Sequence, residues 1–457
     1  MKNFTPNDKI FKNSKNIHMI GIGGSGMCPL AEILLSKKYN ISGSDNNPGD
    51  TINRLKKLGA KIAMGHSGEN ISPDIDVVVY SAAISADNPE ILQAKKLNIE
   101  TLERSELLGY ITRKYSNTIG ISGTHGKTTA TSMLVHTLYK SGLDPAAVIG
   151  GRLDTIDAYG RAGSSDTLVV ESCEYNDTFL RTNPDVAVVL NIDADHMEYF
   201  KTIDNLVTSF KKFCKMAHTV IINGDDEKCL IMAGNLSQKI IKIGENENCD
   251  AKISNITEHR PAFYSFTLDF EGQRLSLKMS APGRHNVFNG AVAAVCALLS
   301  GASVVQIEKN LPSFKGAGRR FEVLSTANDI TIADDYAHHP LEIEVTLDAA
   351  LKMGYNRVIA VFQPFTFSRT NTLLSEFAEV LSKADLVILS EIMGSREKNT
   401  FGIHTSHLCE KIPNAVWFKT FDEIVYRVKS IAKPGDLIIT LGCGDIYKVA
   451  QVLAKNK

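Results

Sequence analysis

Gly123 to Thr129 (GTHGKTT) directly follow the apolar run Thr118–Ser122 and open a helix-like stretch. In such a loop glycines let backbone N–H groups approach phosphate oxygens, a lysine can reach the β- and γ-phosphates, and a hydroxyl at the helix N-terminus can hold Mg²⁺. Gly123, Thr124, His125, Gly126, Lys127, Thr128 and Thr129 therefore read as a triphosphate cradle, and the chain is expected to use ATP. The general pattern asks for a glycine five residues before Gly126, where Ile121 stands, so the loop is a shorter variant.

Two further segments aim chemistry at the same place. Glu171 ends the apolar run TLVVE, and open parallel sheets put their ligand groups at the carboxyl ends of strands. The run VAVVLN ends in Asn191-Ile192-Asp193-Ala194-Asp195-His196, which would bring His196 to that edge. Thr128, Glu171 and His196 make a set of oxygen and nitrogen ligands for Mg²⁺, a metal that prefers oxygen. Nearer the N-terminus, Gly21-Ile22-Gly23-Gly24-Ser25-Gly26 fits G-x-G-x-x-G after a strand, and Asp45 closes the next strand, where an acid would bind ribose hydroxyls. This second loop should hold a diphosphate. NAD and a nucleotide diphosphate sugar both satisfy it, since the backbone recognises only the pyrophosphate. The triphosphate loop weighs against a dehydrogenase, because hydride transfer needs no triphosphate.

Elements must exist to hold these loops. At 457 residues the chain is too long for one core and fits about three domains of ~150 residues. Strand-like runs (IHMIGI, YNISGS, DVVVYS) alternate with helical stretches from Ile17 to about Arg113. A second set begins at Thr118, includes TVIIN, turns to period-two alternation between Ala251 and Met279 as a small antiparallel insert, and closes with a helix from Asn286 to Leu299. After Lys315–Gly318 a third set follows in RVIAVF, DLVILS and DLIITLG. The expected fold is α/β in three domains: an N-terminal Rossmann-like domain (1–115), a central P-loop ATPase with a mainly parallel sheet (116–316) and a C-terminal Rossmann-like domain (317–457).

Composition narrows the function class. Apolar content of 43%, charged content of 22% and a net charge of −1 describe a globular enzyme without the basic excess of a nucleic-acid binder. The polar start MKNFTPNDKIFKNSKN lacks the apolar core of a secretory leader and no run is long enough to span a bilayer, so neither nucleic acid nor membrane is expected as a partner and a cytoplasmic location is. Eight cysteines without C-x-x-C pairs argue against a disulfide framework or a zinc site and read as buried thiols.

The segments GIGGSGM, GTHGKTT, NIDADHM, GRHNVFN, RRFE, DDYAHHP and QPFTFSRT occur in the order and approximate spacing of one family, over about Ile17 to Val449: the chain resembles the Mur ligases. The resemblance implies an ATP-dependent amide synthetase of peptidoglycan precursor synthesis, with UDP-N-acetylmuramate, ATP and L-alanine as substrates and Mg²⁺ as cofactor. ATP would phosphorylate the muramyl carboxylate, and the amine would attack the acyl phosphate. By resemblance the catalytic set is Lys127, Glu171, His196 and His338; Thr128 and Glu171 hold one Mg²⁺ and His196 helps hold a second. His285 and Asn289 go to the adenine region, Arg320 and Asp335 to the nucleotide, and Tyr336, His338 and Arg369 to the amino acid. Gly21, Gly23, Gly24, Ser25, Gly26 and Asp45 would serve the UDP-sugar.

Two departures stand out. The family's Q-P-H-R-Y-S-R-T is here QPFTFSRT, with Phe365 and Thr366 in place of the histidine and first arginine. Its E-A-D-E-S-D is here Glu171-Ser172-Cys173-Glu174-Tyr175-Asn176-Asp177, without the third-position acid. Alanine leads as the amino acid, with glycine and serine open. Some relatives carry a modified lysine, for which Lys211 and Lys212 are the candidates. A murein peptide ligase or similar amide-forming relative is the second enzyme reading, and an ATP-gated regulatory protein the non-enzyme one; the latter would need neither a second diphosphate loop nor the chemistry around Asp335 and Arg369.

Overall fold

Short apolar runs separated by helix-length stretches favour parallel strands joined by crossovers, because a sheet buried on both faces needs apolar residues at successive positions. The computed structural model, which describes residues 5–395 and 397–455, follows that rule in three sheets. The described residues fall into two compact units: one takes in the chain up to Asn255, Phe266–Leu277 and Phe288–Phe314, the other Ile256–Ser265, Lys278–Val287 and the chain from Lys315.

The first sheet runs in the order Lys61–Met64, Asn40–Asp45, Asn16–Ile20, Val77–Tyr80, Glu100–Glu103, parallel throughout. Ile17, Met19, Val77 and Val79 are fully buried in it and pack with Leu30 and Leu34 of the helix Cys28–Ser36. Asn16–Ile20 is flanked by the second and fourth strands in chain order, so the glycine loop after it leaves at the point where the strand order reverses, the usual place for a ligand in an open α/β sheet.

The second sheet has ten strands, ordered Gln273–Lys278, Phe263–Phe270, Ala251–Arg260, Lys239–Gly244, Thr219–Asn223, Val186–Val189, Asn117–Ser122, Thr167–Glu171, Ala146–Leu153 and Ala158–Arg161. Its centre is parallel. The expected antiparallel insert is the edge of this same sheet: Ala251 pairs in parallel with Ile243, and Phe263–Phe270 alternates buried and part-buried positions as its period-two pattern requires. The closing helix begins one residue early, at His285. The helix Lys127–Lys140 starts directly after Gly126, whose φ of 82° is a left-handed conformation that glycine adopts without strain.

The third sheet is ordered Glu322–Ala327, Ile330–Asp335, Asp436–Leu441, Arg357–Phe362, Leu386–Ser390, Ala415–Phe418, parallel except for the antiparallel pair of its first two strands. The strand Asp436–Leu441 is buried along its whole length. The fold is thus a three-domain α/β architecture. Among the described residues no helix is long and apolar enough to cross a membrane. All eight cysteines are free, but only Cys28, Cys214, Cys229 and Cys296 are buried; Cys173, Cys249, Cys409 and Cys443 are partly exposed, which corrects the uniform expectation.

Candidate active site

Strand register decides what surrounds the GTHGKTT loop. Asn117–Ser122 lies between Thr167–Glu171 and Val186–Val189, with Ile121 opposite Glu171 and Ser122 opposite Val189. The loop therefore emerges with Glu171 on one side and the Leu190–His196 segment on the other. Asn191 fastens it: its carbonyl accepts from the Thr124 amide at 3.1 Å, its Oδ1 from the His125 amide at 2.8 Å, and its Nδ2 donates to the His125 carbonyl at 3.1 Å. The Asp193 amide donates to the Thr124 hydroxyl at 2.8 Å. These bonds fix the loop backbone.

Within the cradle, the Thr128 hydroxyl donates to Glu171 Oε1 at 3.1 Å, and Glu171 Oε2 accepts from the Gly150 amide at 2.8 Å. The two expected oxygen ligands are thus side by side. Lys127 has its Nζ 2.5 Å from the Gly123 carbonyl, 2.9 Å from the Thr124 carbonyl and 3.0 Å from Glu174 Oε1. Burial favours the neutral amine, yet the Glu174 carboxylate, with Glu171 behind it, holds the Lys127 pKa above its ordinary value. Cys173 is pushed up to about 11, chiefly by burial and then by Glu174, so it stays a thiol and not a nucleophile. Thr129 is part-buried in the first turn of the helix.

His196 caps the short helix Met197–Phe200 in a left-handed conformation; its ring lies 4.7 Å from that of Tyr175, and its Nε2 is 3.7 Å from Asp195 Oδ2. Asn289 is buried against the loop, where a Cβ on Gly126 would come within 2.9 Å of its Oδ1. His285 opens the same helix one turn earlier and sits exposed beside Gly283. Lys211 is part-buried and Lys212 exposed on the helix Ile203–Lys215.

In the glycine loop after the first strand, Gly24 and Ser25 are exposed and Gly21 has φ of 75°. Asp45, expected at the ribose hydroxyls, bonds the loop itself. Its Oδ2 accepts from the Gly23 amide at 2.9 Å and its Oδ1 from the Asn47 amide at 2.9 Å, so it braces the loop. Gly26 packs against Arg104. Gly23 and Ser25 also line a cavity of about 720 Å³ that includes Arg54 and Arg152.

The third sheet presents a separate cluster at the end of Ile330–Asp335. Asp335 is buried and accepts the amides of Phe321 and Ala337, each at 2.7 Å. Burial raises its pKa from 3.8 to about 6 against the opposing charge of Arg320. The Arg320 guanidinium lies 5.1 Å from the Tyr336 ring centre. His338 has its Nδ1 3.1 Å from the Tyr336 carbonyl and 3.3 Å from Glu342, and its ring faces Phe365 edge-on at 6.5 Å. Thr366 adopts φ of 65°, accepts from the Arg369 amide at 3.4 Å and caps the helix Phe367–Thr372 that carries Arg369. Thus Phe365 and Thr366 are built into the structure here: one faces His338, the other caps the helix that carries Arg369.

Sequence reasoning missed Glu174, Gly150, Asn191 and Arg319. Arg319 pairs with buried Asp334 at 2.8 Å and stacks between Tyr336 and Tyr447. Glu174 carried a signal, as an acid in the loop after a site strand; Gly150 carried none.

Residues 16–116 match the model described as Mur ligase family, catalytic domain; 121–298 match Mur ligase middle domain; 319–444 match Mur ligase, glutamate ligase domain. A UDP-N-acetylmuramate–L-alanine ligase of Acetivibrio thermocellus is 43% identical over 97% of this chain and 96% of its own length. One of Clostridium botulinum is 42% identical over 97% and 98%. Among solved structures, the UDP-N-acetylmuramate-alanine ligase of Thermotoga maritima superimposes with a TM-score of 0.81 at 25% identity, covering 96% of this chain and 98% of its own. A murein peptide ligase from Psychrobacter arcticus gives 0.76 at 24% identity, covering 97% and 99%. With its three domains matched in order and near full-length relatives above 40% identity, the chain belongs to the Mur ligase family.

Proposed function

We propose that the protein joins L-alanine to the carboxylate of UDP-N-acetylmuramate, consuming ATP and releasing ADP and phosphate, as a cytoplasmic step of peptidoglycan precursor synthesis. The observation that carries this reading is the cradle in which Lys127, Thr128 and Glu171 converge, within a chain that matches alanine-adding relatives over almost their whole length. Residues 1–115 would bind the UDP-sugar at the exposed Gly24–Ser25 turn, with Gly21, Gly23 and Gly26 shaping the turn and Asp45 bracing it. Residues 116–316 would bind ATP, and 317–457 the amino acid.

The chemistry follows from charge and placement. A carboxylate oxygen attacks the γ-phosphorus; the new O–P bond forms as the bond to ADP breaks. The amine then attacks the acyl carbon, and the tetrahedral intermediate expels phosphate while the nitrogen gives up its proton. Nucleophile and γ-phosphate are both anionic, so the protein's task is neutralisation and alignment. Loop amides and Lys127 serve the phosphates. Asn289 and His285 would flank the base, with Arg320 and Asp335 engaging the nucleotide. Arg369 suits the amino-acid carboxylate, because its planar fork pairs bidentately, beside Tyr336 and His338.

Magnesium fits the residues present. Thr128 and Glu171 offer adjacent hard oxygens, with His196 on the neighbouring strand end as a further ligand. Among the described residues no group of three or more His, Cys, Asp or Glu forms a ready-made cage, as suits a metal that keeps waters and takes substrate phosphates as ligands. When bound, it would offset charge on the transferring phosphoryl group.

Phosphate release from the purified protein tests the proposal. Turnover should require UDP-N-acetylmuramate and an amino acid together, with alanine preferred over glycine and serine. Release indifferent to both would indicate an ATP-gated switch, and preference for a peptide would indicate a murein peptide ligase.

A further inference from the structure

We propose that Glu174 is a stand-in for phosphate: it holds the Lys127 ammonium while the cradle is empty and gives it up when a triphosphate enters. The proposal rests on the reading of Gly123–Thr129 as a triphosphate cradle.

An ammonium has three N–H donors and no acceptor. Here all three are spoken for, by the carbonyls of Gly123 and Thr124 and by Glu174 Oε1, at 2.5, 2.9 and 3.0 Å. A phosphate oxygen can reach Lys127 only by displacing one of them. The two carbonyls belong to the loop itself and move with it. Glu174 comes from another segment, after the strand Thr167–Glu171, and is the one acceptor of the three that carries charge. Its second oxygen, Oε2, also lies 3.0 Å from Nζ and has no other hydrogen-bond donor among the described residues. Among the described residues Lys127 is therefore that side chain's one polar anchor. The Lys127 side chain is 14% exposed and that of Glu174 2%, so in this poorly solvated pocket the ammonium needs a counter-charge.

A competitor for Lys127 weakens nucleotide binding and stabilises the empty protein; a nucleotide ligand or a scaffold residue does not do both. Calorimetric titration of the full chain with Mg–ADP and with a non-hydrolysable Mg–ATP analogue separates these. Glu174→Gln should bind about tenfold more tightly than wild type, since a neutral amide competes less well than a carboxylate, and its nucleotide-free Tm should fall. In a Lys127→Ala background the same substitution should leave the Kd unchanged. Equal or weaker binding by Glu174→Gln, with wild type binding normally, overturns the proposal, as does the same gain without Lys127. If Glu174→Gln does not fold, Glu174→Asp, with a shorter reach to Nζ, is read in the same way: tighter binding supports the exchange, and unchanged or weaker binding overturns it. Failure of wild type itself to bind nucleotide removes the cradle reading instead.

Discussion

Gly150 offers a perturbation of the proposed Mg²⁺ site without substitution of either Thr128 or Glu171. Its amide donates to Glu171 Oε2 at 2.8 Å, and a Cβ added there would come 2.5 and 2.6 Å from the two carboxylate oxygens. Contacts that short do not persist, so in Gly150→Ala the end of the Glu171 side chain must swing away. The residue is exposed and its backbone angles suit an L-residue, so the fold itself should tolerate the methyl. What is lost is the oriented carboxylate: a hydrogen bond to a charged group contributes about 1.5–3 kcal/mol, or roughly 10- to 100-fold in an equilibrium constant. The apparent Mg²⁺ requirement in a phosphate-release assay should therefore rise by about that factor, while the Tm without nucleotide moves little. An unchanged Mg²⁺ titration curve, with the variant folded, would refute the role assigned to Glu171.

Three other outcomes follow from the same geometry. Lys127→Ala should lower kcat by ~10²-fold or more, the usual cost of removing an oriented charge-stabilising donor; turnover like that of wild type would remove Lys127 from the reaction. Arg369→Ala should raise the KM for alanine far more than that for ATP, and equal effects would take it out of the amino-acid pocket. Asp335 has a pKa raised from 3.8 to about 6, so the folded state holds its proton more tightly than the unfolded one. The stability this gives is fully present only below about pH 4 and lost as pH rises through 6, so wild type should lose about 2 kcal/mol relative to Asp335→Asn between pH 4 and 7; parallel stability curves in chemical denaturation would contradict the shift.

Much of this was legible in the residues. GTHGKTT after an apolar run, an acid ending TLVVE and a histidine just past VAVVLN are local patterns, because the turn, the strand and the helix start depend on neighbours within a few positions. Parallel sheets then bring strand ends to one edge whatever the intervening sequence, so Lys127, Thr128 and Glu171 could be grouped from type and position alone. The family resemblance extended this to Asp335, Tyr336, His338 and Arg369.

Tertiary structure decided which atoms meet. Period-two alternation foretold strands between Ala251 and Met279 but not that they extend the central sheet, since pairing partners are set by edges far off in the chain. Asp45 accepts from the Gly23 amide because the carboxylate at that strand end lies within reach of a partly buried loop donor. Gly150 lies 21 residues before Glu171 and Glu174 47 after Lys127, and neither spacing is a motif. Their contacts exist because Thr167–Glu171 is inserted between Asn117–Ser122 and Ala146–Leu153. The amino-acid chain thus fixed the chemical groups and their strand ends, while the lateral order of strands, a non-local balance of burial and hydrogen bonding, selected their partners.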